Sequence, residues 1–169
     1  GHETTVNLVG NGVRALLLDP SGPEALAHLR AAAAAGDEEA LRNAVDELLR
    51  FDSPVQMTRR ITRQEVEVDG HTIEPGGFVS LVLASANRDP EVFGPTAGRL
   101  DLGRAEADQH VSFGGGHHYC LGASLARLEA QVALASLFAR FERVEPQAEP
   151  EWNGRINLRG LAHLPLQVA

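Results

Sequence analysis

The feature that most constrains this chain is a glycine-rich run that carries its single cysteine, Cys120. Residues 113–122 have the order Phe-Gly-Gly-Gly-His-His-Tyr-Cys-Leu-Gly, and a strongly apolar stretch follows directly. Glycines without side chains let a flat ligand approach the backbone closely. A helix that begins just after the cysteine would stabilise a thiolate with its N-terminal amides. The run therefore indicates a loop that brings sulfur and bare backbone against a flat, charged partner.

Simpler interpretations of this loop stay open. A lone cysteine is most often buried and inert, glycines alone often form a flexible loop, and the thiol could be a redox sensor. A zinc site is disfavoured because His117, His118 and Cys120 have neither a second cysteine nor a His-x-x-x-His pattern beside them. The conjunction of glycines and cysteine, with Phe113 before them and a helical pattern behind, favours a thiolate ligand to a haem iron.

Composition limits the class of protein. The chain has 169 residues, 43% apolar and 22% charged, as expected for one compact globular domain. Its net charge of −8 argues against a nucleic-acid-binding surface. The sequence contains no run of about 18 apolar residues that would predict a membrane span, and a single cysteine fits a reducing compartment. We therefore expect a cytoplasmic protein that binds neither nucleic acid nor membrane.

The first third of the chain has helical periodicity. Its apolar spacing predicts helices over about 3–18, over 23–35, and from an Asp37 cap to just before Pro54. The Asp-Gly pair inside residues 66–73 then predicts a β-hairpin.

The rest of the chain alternates between irregular and periodic segments. Residues 78–83 predict a strand or a buried segment. Residues 87–109, the irregular segment, have little periodicity. In a compact domain this is typical of a segment held by a specific network. Short strands are predicted around Ile156 and over 164–168. A long helix is predicted after the cysteine loop, with an apolar face formed by Leu121, Leu125, Leu128, Val132, Ala135 and Phe138.

Residues 113–122 match in full the haem-binding loop of cytochrome P450 enzymes, F-G-x-G-x-H-x-C-x-G, and the chain resembles the soluble bacterial members of that family. Residues 123–129 resemble the helix that follows this loop. The resemblance implies a mainly α fold with small β-sheets, in which residues 1–169 form a single partial domain, the C-terminal part of the P450 fold. It also implies an N-terminal portion of the same protein that is absent from this chain.

Glu47 and Arg50 resemble the E-x-x-R motif of the family. Their i, i+3 spacing puts both side chains on one helix face, where such a pair is ordinarily a surface ion pair worth about 0.3–0.5 kcal/mol. The resemblance implies instead that the pair is buried and ties its helix to the irregular segment. Arg99 would be the third member, although Arg99-Leu100-Asp101 stands where the family usually has Arg-Phe-Asp.

The resemblance also implies a haem b cofactor (iron protoporphyrin IX) with Cys120 as the iron ligand. Arg60, with Arg59 as its easily confused neighbour, and His118 would form charge-assisted hydrogen bonds with the two propionates. The implied cofactor-binding residues are Arg60, Phe113, Gly114, His118, Cys120 and Gly122.

Catalytic and substrate-binding residues follow from the same resemblance. Gly1, Glu3 and Thr4 resemble the glycine and the acid–alcohol pair of the long helix above the haem, where a carboxylate and a hydroxyl relay protons. An ordinary helix start with a polar turn is the alternative. The implied substrate-pocket residues are Val55, Gln56, Met57 and Leu161.

The function implied is that of a haem-thiolate monooxygenase, which inserts one oxygen atom from O2 into a small organic substrate with electrons from a ferredoxin-type donor. Arg104 and Arg127 are expected docking points for that acidic carrier. The alternative is a non-catalytic haem-binding or interaction module that retains the P450 core.

Overall fold

The computed structural model describes residues 2–169. Gly1, the glycine expected before the acid–alcohol pair, lies outside the described residues. The helices within this range are α1 (His2–Leu18), α2 (Gly22–Ala35), α3 (Glu38–Phe51), α4 (Leu83–Ala86), α5 (Pro90–Phe93) and α6 (Ala123–Arg140). The strands are β1 (Thr58–Ile61), β2 (Val66–Val68), β3 (His71–Ile73), β4 (Phe78–Leu81), β5 (Val144–Pro146), β6 (Glu151–Trp152), β7 (Leu161–His163) and β8 (Leu166–Val168).

Local signals account for the ends of the helices. Helix α2 has a proline in its first turn and ends at Gly36, whose φ of 65° lets its backbone close onto the last carbonyls. Helix α3 begins after Asp37, whose carboxylate accepts a 3.0 Å hydrogen bond from the amide of Ala40. The three predicted N-terminal helices are therefore confirmed.

The hydrophobic core lies where α1, α2, α3 and α6 pack together. Its large side chains that are at most 2% exposed include Leu8, Leu16, Leu29, Leu48, Leu134 and Phe138. Gly12 of α1 allows the close approach, because a Cβ there would lie 3.2 Å from the side chain of Leu48 and 3.6 Å from that of Leu134. Within residues 2–169, no helix has both the length and the hydrophobicity needed to cross a membrane.

Within residues 2–169 the strands form four two-stranded antiparallel sheets, which pair β1 with β4, β2 with β3, β5 with β8, and β6 with β7. The β2–β3 hairpin turns at Asp69 and Gly70, whose φ values of 48° and 73° suit the turn predicted for an Asp-Gly pair. The strand predicted around Ile156 is wrong, since Ile156 lies outside every strand and Leu158 forms only an isolated bridge with Val55. The fold is mainly α with small sheets, as expected.

The face of α6 that packs into the core agrees with the predicted one at Phe138 but differs from it over the first part of the helix. Leu125, Leu128 and Val132 are more than half exposed, at 59%, 57% and 58%. The buried residues of the helix are Ala123, Ala130, Leu134 and Phe138. Helix α6 has apolar residues on most of its sides, so periodicity did not identify the whole packing face.

Candidate functional site

The cysteine loop, the start of α1, the segment before β1, and α6 enclose a cavity of about 530 Å3. Most of its wall is apolar, and a few polar or reactive side chains converge on it. The lining residues that matter chemically are Thr4, Val55, Arg60, Phe113, His118 and Cys120. Side chains far apart in the sequence thus meet around one volume.

Backbone hydrogen bonds shape the cysteine loop. The amide of Cys120 donates to the carbonyl of Phe113 at 3.0 Å, and the amide of Gly114 donates to Val111 at 2.8 Å. Gly114 has a φ of 72°, and a Cβ there would lie 3.3 Å from the carbonyl oxygen of His118. At Gly115 a Cβ would meet nothing within 4 Å. The glycines therefore allow one tight turn and leave an open backbone surface next to the cysteine.

The residues of this cavity fit an iron porphyrin. A cysteine sulfur is a ligand that haem iron accepts, and the exposed Cys120 lies in the cavity wall. Arg60 and His118 line the same cavity and suit two carboxylates through charge-assisted hydrogen bonds. The apolar remainder of the wall suits the macrocycle.

Strand β1 separates the two neighbouring arginines, because successive side chains of a strand point to opposite faces. Arg60 lines the cavity, and its Nη1 donates to Thr58 Oγ1 at 2.8 Å. The guanidinium of Arg59 lies 5.6 Å from the centre of the Phe78 ring. Arg60, not Arg59, is therefore the arginine available to a ligand in the cavity.

The expected acid–alcohol pair is divided between the cavity and the surface. Thr4 lines the cavity. Glu3 lies outside its lining, is 54% exposed at its side chain, and forms an ion pair with Arg155. The structure thus brings Thr4, but not Glu3, to the cavity wall.

The expected substrate-pocket residues need correction. Val55 lines the cavity, but Gln56 lines a second one with Arg14 and Arg88, and its Nε2 donates to the carbonyl of Ser53 at 2.6 Å. Neighbouring side chains of this segment leave on different sides. Met57 and Leu161 are only partly buried, and within residues 2–169 neither belongs to the lining of the cysteine cavity.

Glu47 and Arg50 form a completely buried ion pair on α3, with Arg50 Nε 2.6 Å from Glu47 Oε2. The remaining donors of Arg50 reach three backbone carbonyls, those of Asn87 and Ala97 at 2.8 Å and that of Arg99 at 2.9 Å. The pair therefore fixes the irregular segment to α3, because Arg50 donates hydrogen bonds to carbonyls of that segment.

The third side chain of this network is that of Arg104, which corrects the expectation for Arg99. Arg104 Nε lies 3.2 Å from Glu47 Oε2, whereas Arg99 is exposed and offers only its carbonyl. Arg104 is 5% exposed, so it is not an electron-carrier docking point either. Arg104 lies in a segment without periodicity, so the sequence does not distinguish it from the arginines at the surface.

A second buried cluster lies beside the cysteine loop, around Asp46, the residue before Glu47. Asp46 Oδ1 lies 2.6 Å from Arg127 Nε and 3.1 Å from His110 Nε2. Burial raises the pKa of Asp46, but the hydrogen bonds from His110 and Arg127 outweigh it and leave that pKa below its ordinary value. Arg127, expected to be a surface docking point, is instead largely covered and paired.

Asn87 and Ser112 are further residues that sequence reasoning missed. Asn87 is completely buried, and its Nδ2 donates to Ser112 Oγ at 2.8 Å. Its Oδ1 accepts a 2.8 Å hydrogen bond from the amide of Val111, and Ser112 Oγ donates to Leu49 at 2.8 Å. These bonds attach the start of the cysteine loop to α3. The sequence around Asn87 gives no sign of this partner.

Comparison with known proteins gives one consistent family. The cytochrome P450 family profile matches residues 39–165. The putative cytochrome P450 140 of Mycobacterium tuberculosis is 46% identical over 168 residues, covering 99% of this chain and 36% of the relative. The cytochrome P450 monooxygenase PikC of Streptomyces venezuelae is 43% identical over 171 residues, covering 99% of this chain and 39% of the relative.

A solved structure agrees with this assignment. The crystal structure of P450BioI in complex with hexadec-9Z-enoic acid ligated acyl carrier protein superposes with a TM-score of 0.89 at 40% identity. That superposition covers 99% of this chain and 41% of the other. The chain therefore spans about two fifths of the length of the proteins it matches.

Proposed function

The chain belongs to the cytochrome P450 family, and from that premise we propose that it carries the haem-thiolate site of a monooxygenase. The enzyme would insert one oxygen atom from O2 into a small organic substrate. The observation that carries this proposal is the convergence of Cys120, His118, Arg60 and Thr4 on one largely apolar cavity.

Each side chain of the cavity has a role in this proposal. Cys120 binds the iron as a thiolate, while Arg60 and His118 neutralise the two propionates of haem b. Phe113, Gly114 and Gly122 shape the loop that presents the sulfur. When bound, the haem would supply the iron chemistry of dioxygen reduction, and Cys120 would hold that iron as its thiolate ligand.

Proton supply falls to the start of α1. Thr4 lines the cavity, one residue from Glu3, whose side chain is in contact with solvent. Thr4 would hold a proton at its Oγ1 inside the cavity, and Glu3 would exchange protons with water at the surface end of the same helical turn. The ion pair with Arg155 holds Glu3 outward.

The nature of the substrate and of the partners follows from the walls of the cavity and from the family. Apolar walls with few polar groups suit a small, mainly apolar organic molecule, and Val55 would contact it. Electrons would come from a ferredoxin-type donor. The remaining part of the enzyme, corresponding to the length that the relatives have in addition, would complete the pocket. A cytoplasmic location, expected from the single cysteine, belongs to the same proposal.

The test is oxygen incorporation by the full polypeptide. The haem-loaded protein is supplied with a surrogate ferredoxin, its reductase, NADPH and an alkoxycoumarin probe under isotope-labelled dioxygen. We expect one labelled oxygen atom in the oxidised product, and Thr4→Ala should lower product formed per NADPH consumed. Haem binding with no product from any probe would favour the non-catalytic module instead.

A further inference from the structure

Arg127 of α6 touches both ends of the cysteine loop. Its guanidinium carbon lies 4.6 Å from the centre of the Phe113 ring, at the start of the loop. Its Nη1 lies 3.3 Å from the hydroxyl of Tyr119, the residue before Cys120. The rings of Phe113 and Tyr119 meet edge to face at 6.3 Å. One planar cation therefore joins two side chains that flank the glycines.

Asp46 of α3 holds this arginine in place through an ion pair. Its Oδ1 accepts a 2.6 Å hydrogen bond from Arg127 Nε, and its side chain is 3% exposed. The amide of Ser112 donates to His110 Nδ1 at 3.1 Å, so His110 Nε2 is left to donate to the same Asp46 oxygen at 3.1 Å. The ring of His110 also packs against Phe113 at 5.6 Å.

The loop needs such an anchor because its own sequence is permissive. Three consecutive glycines, residues 114–116, lose more conformational entropy on ordering than other residues would. Hydrogen bonds to charged, largely buried groups are the stronger kind. Asp46 and Glu47 are neighbours on α3, so one helix holds the irregular segment through Glu47 and the cysteine loop through Asp46.

We propose that Arg127, held by Asp46, is a positioning residue that sets the place of Cys120 by fixing Phe113 and Tyr119. This inference rests on the proposed haem-thiolate function. It assigns Arg127 to ligation geometry, where sequence reasoning expected a docking contact. Loss of the Asp46–Arg127 ion pair would leave the fold intact but let the Cys120 sulfur move from its ligating position. A larger share of the haem would then lack thiolate ligation.

The test measures the ligation of the haem-loaded full polypeptide by the Soret position of its ferrous–carbon monoxide complex, which separates thiolate from non-thiolate ligation. In Arg127→Ala we expect the ratio of non-thiolate to thiolate complex to rise about tenfold, the effect of losing one hydrogen bond between charged, largely buried groups. Tyr119→Phe removes only the hydroxyl of a half-exposed residue and should raise the ratio less. Arg140→Ala, an exposed arginine on the same helix, is the matched control and should leave the ratio unchanged.

Coupling between the anchor residues is the second arm of the test. If Asp46 acts through Arg127, the double variant Asp46→Asn/Arg127→Ala should show a ratio no higher than that of Arg127→Ala alone. Hydrogen exchange of the amides of residues 113–122 in the haem-free protein should be faster in Arg127→Ala than in the Arg140→Ala control. This arm applies even where haem loading of the variant is poor.

The outcomes separate the two proposals. If the parent protein shows thiolate ligation and Arg127→Ala shows the same ratio and the same loop exchange, the positioning role is wrong and the haem-thiolate function stands. If the parent protein itself shows no thiolate-ligated haem, the proposed function fails and the positioning role fails with it.

Discussion

Glu47 and Arg104 form a buried ion pair across 57 residues of sequence, with Arg104 Nε 3.2 Å from Glu47 Oε2. Arg104 also donates to the carbonyls of Phe93 and Thr96, each at 2.9 Å. The carboxylate of Glu47 thus forms ion pairs with Arg50 of the same helix and with Arg104 of the irregular segment. The position of that segment depends on a charge network, because its own helical stretches, α5 among them, are only about one turn long.

Arg104 and Arg99 offer a matched pair for testing this network. Arg104→Ala leaves Glu47 without one of its buried partners, and breaking a buried ion pair costs about 3–5 kcal/mol of unfolding free energy. Arg99→Ala removes an exposed side chain and keeps the carbonyl that the network uses, so its cost should stay within about 0.5 kcal/mol. Urea unfolding of the full polypeptide measures both. Equal costs for the two variants would contradict the assignment of Arg104.

Arg60 and Arg59 test which face of β1 meets the cofactor. Replacing Arg60 with leucine removes the cavity arginine, and loss of a hydrogen bond to a charged group costs about 1.5–3 kcal/mol, or about ten- to a hundredfold in affinity. Haem transfer to an acceptor protein should therefore be faster in Arg60→Leu. Arg59→Leu, with its side chain over Phe78, should behave like the parent protein. A larger effect at position 59 would reverse the assignment.

Asp46 should contribute to the acid sensitivity of the fold. Its pKa lies below the ordinary value of 3.8 in the folded chain, since the hydrogen bonds from His110 and Arg127 outweigh burial. An aspartate with a lowered pKa adds stability above its unfolded pKa and loses that stability as the pH falls through the folded pKa. In Asp46→Asn the unfolding free energy should thus be lower near neutral pH and fall less as the pH drops from about 5 through the folded pKa of Asp46.

The control for this titration is Asp108→Asn, which changes an exposed aspartate. Its profile of unfolding free energy against pH should follow that of the parent protein. A profile for Asp46→Asn as steep as that of the parent would mean that Asp46 gains nothing from its two partners.

Alanine substitutions at Gly114 and Gly115 test whether the backbone conformation of the turn, or only the presence of glycines in the loop, affects stability. Gly114 has a φ of 72° and little room toward the carbonyl of His118, so Gly114→Ala should cost about 1–2 kcal/mol of unfolding free energy in the haem-free protein. Gly115 is extended, with a φ of −159° and open space at its Cβ position, so Gly115→Ala should be nearly neutral in the same measurement. A similar cost at both positions would show that the turn at Gly114 is not the constraint.

Local chemistry made much of the fold predictable. The Asp37 cap, the Gly36 stop and the Asp69-Gly70 turn each depend on a few neighbouring residues, and each lies where the sequence indicated. The packing face of α6 was not predictable, because alanine and leucine are both apolar and only the neighbouring helices decide which of them is buried.

The candidate site was predictable only where a motif carried it. The cysteine loop and the Glu47–Arg50 pair were recognised from their resemblance to family motifs, whereas the contacts of Arg104 and Asp46 reach across long sequence separations. In a segment without periodicity, the arginine that becomes buried is the one whose guanidinium can donate to unpaired carbonyls. Those carbonyls come together only when the chain has folded.

The most direct test of the whole account is the spectrum of the reduced, carbon monoxide-bound full polypeptide beside that of its Cys120→Ser variant. We predict a Soret band at the position typical of thiolate-ligated haem in the parent protein and the loss of that band in the variant. The same band in both proteins, or no haem-derived band in the parent protein, would contradict ligation by Cys120.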